Sequence, residues 1–96
     1  MALSENEELA RALGVASHPL RLDLLDAFAS GLIRSPTDAA LALGEGLPNV
    51  RHHVRVLLRE GFLAPIGAES TSGTLEGRYE PTDRAHALLG AFASLT

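Results

Sequence analysis

The chain has 96 residues, 46% hydrophobic and 21% charged, the composition of one globular domain rather than a disordered segment. It contains no cysteine, which excludes disulfide frameworks and thiolate metal sites, and its longest apolar run, Ala39 to Leu43, is too short for a membrane span or a signal-peptide core. The net charge of −4 opposes indiscriminate binding to nucleic acid, which depends on neutralising phosphates with lysine and arginine.

That charge is uneven. Residues 1–47 carry a net of −4, residues 48–61 a net of +2, and residues 62–96 a net of −2. Positive potential is therefore local. A single cytoplasmic domain over residues 1–96 is expected, short enough that a second copy would help to bury apolar surface.

Ser4 followed by Glu7 is a capping-box signature, and Leu9, Ala10, Leu13 and Ala16 follow at helical spacing, which predicts a first helix from about Glu5 to Ala16. His18-Pro19 restarts the chain, because proline suits the first helical position and disfavours helix in the residue before it. The second helix carries Leu20, Leu24, Leu25, Ala27 and Phe28 and stops near Gly31. After an extended piece at Leu32 to Arg34, Ser35-Pro36-Thr37-Asp38 caps a brief third helix from Pro36 to Leu43, ended by Gly44.

Gly44-Glu45-Gly46 is a tight turn, and Pro48 opens a fourth helix that closes at Gly61. Two short helices joined by a glycine turn are a helix-turn-helix arrangement. At about 100° per residue, Val50, Val54 and Leu57 share one side of the fourth helix, with Leu58 at its edge. Arg51, Arg55 and Arg59 recur every fourth residue on the neighbouring face, joined by His52. Such a helix packs on a core while offering cations to a polyanion.

Phe62 to Ile66 has strand character, with Pro65 confining it to an edge or a bulge. Gly67 to Gly77 is small, polar and glycine-rich, which predicts a mobile hairpin loop, and Arg78-Tyr79-Glu80 returns as a second strand. Thr82 caps a last helix whose stripe is Ala85, Leu88, Leu89, Phe92 and Leu95. The fold class expected is mainly α with a small β-hairpin, in the order α-α-α-α-β-β-α.

ASHPLRLDLLDAF (residues 16–28), SPTDAALALGEGLPNVRHHVRVLLREGFL (35–63) and GRYEPT (77–82) together resemble the winged helix-turn-helix transcriptional regulators of the arsenical-repressor (ArsR-like) type. The resemblance covers roughly residues 15–83, and its most specific parts are His-Pro-x-Arg at the second helix and Val-x-x-His-Val-x-x-Leu in the fourth. It implies a homodimer, paired through its first and last helices, that binds an operator with the fourth helix and a β-hairpin wing. Metal-sensing members use cysteines near the third helix, or Asp, His and Glu on the last. This chain lacks cysteine and offers only Asp83 and His86 there, so neither a metal nor a cofactor is expected.

For duplex DNA, Arg51 and Arg55 are the candidates for guanine or phosphate, since guanidinium pairs bidentately with both. Pro48, Asn49 and His52 stand near the helix's N-terminal half, Asn49 and His52 as candidates for base edges, while Arg59 lies a turn further on, against the backbone. Ser35 and Thr37 begin the third helix, where hydroxyl and N–H groups either cap it or hold a phosphate. Arg78 is the wing's cation, outnumbered there by Glu69 and Glu76. The expected dimer interface comprises Leu9, Leu13, Ala85, Leu88, Leu89, Phe92 and Leu95.

His53 falls at the apolar edge of the fourth helix and reads as a hydrogen-bonded structural histidine, His18 as part of the second helix's N-cap. Nothing catalytic stands out: Gly44-x-Gly46 lacks a third glycine, no Walker-type GK[ST] occurs, and Ser70, Thr71 and Ser72 have no paired base. Two readings remain, a dimeric repressor reading an inverted-repeat operator, and a winged-helix adaptor that pairs with a protein instead of DNA.

Overall fold

A computed structural model describes residues 11, 13–15, 17–71 and 74–94. Residues 11 and 13–15 are helical and are called α1; Leu9 and most of the expected first helix lie outside the described residues. There follow α2 (Pro19–Ala29), α3 (Pro36–Leu43), α4 (Leu47–Arg59), β1 (Leu63–Thr71), β2 (Thr74–Pro81) and α5 (Asp83–Ala93). No helix among the described residues is long and apolar enough to cross a membrane.

The local chemistry accounts for these boundaries. Pro19 and Pro36 open α2 and α3, where the missing N–H costs nothing. Ser35 caps α3 by accepting from the Asp38 amide, and Gly44 ends it in the left-handed conformation at φ 67°. His18 is the N-cap of α2 by backbone position, but its side chain makes no capping bond. Thr82 caps α5 through the Ala85 amide while its hydroxyl donates to the Gly61 carbonyl, tying α5 to the end of α4.

One core collects the inward stripes of all the helices. Leu24 and Leu25 of α2, Ala39 of α3, Val50 and Leu57 of α4, and Phe62 are completely buried. Arg84 of α5 lies 4.8 Å over the Phe62 ring, closing the core with a cation on an aromatic face. Val54 is also buried and Leu58 half-buried, so the side of α4 expected to be apolar is the side that packs.

Two expectations need correction. The segment Gly67 to Gly77 is not a long loop: β1 runs on to Thr71, β2 starts at Thr74, and the two form an antiparallel ladder down to Thr71 opposite Thr74. Backbone pairing carries this arm despite its polar, glycine-rich composition, which has no apolar alternation to signal a strand. Pro65 opposes Tyr79 and Gly67 opposes Arg78, so a bulge falls at Ile66, beside the proline.

The second correction concerns the last helix. Ala85 has no exposed surface and Leu88 is buried in the subunit's own core, which removes both from the expected dimer surface. α5 packs against α2, and these two side chains join the α2 leucines in the core. Leu89 and Phe92 are only half-buried, Leu13 is 44% exposed, and Leu95 lies outside the described residues.

Candidate nucleic-acid interface

The faces of α4 divide cleanly. Val50, Val54 and Leu57 are inside, while Pro48, Asn49, Arg51, His52, Arg55 and Arg59 are all exposed. Because the buried face is fixed by the core, the polar face is held outward in one orientation, as a groove-reading helix requires. Among the described residues, Arg51 and Arg55 have no internal hydrogen bond or ion pair. Their guanidinium groups are available to an outside anion.

The other expected cations are partly committed. Arg59 approaches the Glu60 carboxylate at 3.6 Å. Glu60 also accepts from Arg11 Nε at 2.8 Å, and that hydrogen bond holds the Glu60 carboxyl below the usual carboxylate range. This links α1 to the end of α4. On the wing, Arg78 pairs with Glu69 at 3.1 Å, which neutralises the hairpin's expected contribution.

The start of α3 is occupied from within. Ser35 is buried and its Oγ is spent on the cap, which favours capping over phosphate binding for this residue. Thr37 donates both its amide, at 3.1 Å, and its hydroxyl, at 2.5 Å, to the same oxygen of Glu76 on β2. Sequence reasoning misses this contact, because it places Glu76 in a loop; only the strand register brings it to α3. A second tie fixes the hairpin's root, where the Tyr79 amide donates to the Arg34 carbonyl at 2.7 Å.

Between α4 and the hairpin lies a cleft of about 290 Å³. Arg51 and Arg55 line one wall and Leu75 and Glu76 the other, with Val54 among the lining residues. Leu75 is 75% exposed near the hairpin tip. The arrangement is an open, cation-bearing helix beside a projecting hairpin.

Beneath α4, His53 is buried and accepts from Arg21 Nε. Its ring lies 4.3 Å from that of His18 and 5.0 Å from that of His52. Burial, and then the charges of His18, Arg21 and His52, lower its pKa, with Glu45 acting in the opposite sense. His53 is thus the hydrogen-bonded histidine expected. Asp83 and His86 are exposed at the start of α5, and no group of three potential metal ligands occurs among the described residues.

Residues 16–66, more than half of the chain, match the model of a helix-turn-helix domain family. The chain belongs to that family. Its wing and helix order make it an arsenical-repressor-like winged helix-turn-helix protein, as the residues quoted above resemble. Membership places it among DNA-binding transcriptional regulators and not among enzymes.

Two of the solved structures that share this fold illustrate it. NolR from Sinorhizobium fredii superposes with a TM-score of 0.72 at 19% identity, over 99% of this chain and 95% of that one. The homodimeric winged helix-turn-helix DNA-binding domain of Mb0332 from Mycobacterium bovis, a possible ArsR-family transcriptional regulator, gives 0.71 at 20% identity, over 99% and 90%. No curated protein matches the chain.

Proposed function

We propose that this helix-turn-helix protein is a homodimeric repressor that reads an inverted-repeat operator with α4 of each subunit. The observation that carries the reading is the pair Arg51 and Arg55, exposed and without internal partners among the described residues, on the face of α4 beside its core contacts. In a basic-poor chain of net charge −4, these are the cations positioned to meet phosphate or guanine. Asn49 and His52 flank them as base-edge contacts, Pro48 sets the helix start, and Arg59 and Arg78 serve the backbone once released from Glu60 and Glu69.

Dimerisation rests on α1 and α5. Leu13, Leu89 and Phe92 retain exposed surface that a second copy would cover, and Leu9 and Leu95 belong to the same expected interface. The homodimeric state of the Mb0332 domain supports this pairing. A two-fold pair sets the recognition helices about one DNA turn apart, roughly 34 Å. In vitro selection of duplex sites by the purified protein tests this reading, and inverted half-sites at that spacing are the expected product.

One observation favours a second reading, an adaptor that binds a protein instead. The wing's only basic side chain among the described residues, Arg78, is neutralised by Glu69, and Glu76 adds a further acid beside α4. Selection that enriches no sequence would favour the adaptor.

A further inference from the structure

We propose that Glu76 is an internal competitor for the DNA backbone, an affinity-limiting residue that a phosphate must displace from Thr37 before the wing and α3 can engage a duplex. This rests on the reading of the chain as a DNA-binding regulator and adds a limit built into its own interface.

Three observations carry it. One oxygen of the Glu76 carboxylate accepts both donors of Thr37, the amide at 3.1 Å and the hydroxyl at 2.5 Å. An amide and a hydroxyl converging on one anionic oxygen is the arrangement by which proteins hold phosphate oxygens. The anion seated there shows that the pair takes a negative charge in this fold. The same carboxylate lines the cleft shared with Arg51 and Arg55, whose guanidinium groups have no partner among the described residues. Finally, the strand register fixes its place: Glu76 opposes Glu69 on β1, and Glu69 holds Arg78, so the wing's cation is directed to Glu69 and leaves Glu76 to α3.

Glu76 therefore opposes duplex binding in two ways. Its charge repels phosphate near Arg51 and Arg55, and its oxygen occupies donors that phosphate would use. The two effects are separable by substitution. Glu76→Gln removes the charge but keeps an amide oxygen able to accept from Thr37. Glu76→Ala removes both, and Thr37→Val deletes the hydroxyl donor.

The test is fluorescence anisotropy with a labelled mixed-sequence duplex of about 30 base pairs, long enough to span both half-sites. The proteins compared are wild type, Glu76→Gln, Glu76→Ala, Thr37→Val and the double variant carrying both Glu76→Ala and Thr37→Val, with Arg55→Ala alongside. Glu76→Ala is expected to bind on the order of tenfold more tightly than wild type, the worth of one charge-assisted hydrogen bond gained. Glu76→Gln should gain less. Thr37→Val should change little in the wild-type background, where the hydroxyl is occupied, yet remove much of the gain when combined with Glu76→Ala. Weaker binding by both Glu76 variants would overturn the proposal, since Glu76 would then be a strut that holds the wing in place. A gain that Thr37→Val leaves intact would also overturn it, reducing Glu76 to a distant charge. Failure of the regulator reading looks different: no protein in the set binds duplex DNA, and Arg55→Ala matches wild type, which sinks both claims together.

Discussion

Arg21 of α2 donates its Nε hydrogen to Nδ1 of His53 on α4 across 3.1 Å. Arginine has no acceptor, so His53 must be neutral, with its proton on Nε2. The bond crosses from the His-Pro-x-Arg start of α2 to the Val-x-x-His-Val core of α4, joining the two sequence motifs in one contact.

This contact makes stability depend on pH. Burial, followed by the charges of His18, Arg21 and His52, depresses the folded-state pKa of His53, and Glu45 offsets part of that. A depressed pKa means the folded state binds the proton less well than the unfolded chain. The contribution is therefore full above about pH 6.5, the ordinary histidine value, and is lost as pH falls through that value toward the folded one. Thermal unfolding of wild type should shift down between about pH 7.5 and 5.5, and His53→Gln, which keeps an acceptor for Arg21, should shift less. Equal slopes for the two proteins would show that His53 does not carry the effect.

Metal ions are expected to leave the protein on DNA. The chain has no thiolate, and the described residues hold no cluster of three His, Asp or Glu ligands. Calorimetry with zinc, cadmium or arsenite should find no stoichiometric binding coupled to operator release. A tight complex that does release DNA would expose a missed site, with His18 or His86 the first suspects.

Assembly is tested at Phe92. This ring is half-buried on α5, unlike Ala85 and Leu88, which the core already holds. Phe92→Asp should give monomers that retain their helical signal but bind DNA far more weakly, because each half-site alone must then bear the cost of association. Sedimentation that finds wild type monomeric at tens of micromolar, a range in which a stable dimer stays paired, would show that α5 only closes the subunit.

The helices are legible in the sequence because their caps and periodicities agree. Ser35, Gly44, Pro48 and Thr82 mark boundaries by simple chemistry, and the three-and-four spacing of Val50, Val54 and Leu57 names the buried side of α4. The wing is legible only at its root. From Gly67 to Gly77 the hairpin carries mostly glycine, alanine, serine, threonine and glutamate, with Leu75 exposed, so its pairing is decided by the backbone ladder rather than by a buried face. For the same reason the Glu76 to Thr37 bond, 39 positions apart in sequence, leaves no local trace. Ala85 and Leu88 illustrate another limit: a periodic stripe says that a helix face is covered, not whether the cover comes from the same chain.

Recognition of DNA by α4 through Arg51 and Arg55 is tested most directly by duplex affinity as a function of salt for wild type, Arg51→Ala and Arg55→Ala. Wild-type binding should weaken steeply with added salt, and each substitution should cost about 1–3 kcal/mol, with a shallower salt slope where the lost contact is to phosphate. Equal affinities and equal slopes for the three proteins would contradict this role and remove α4 from recognition.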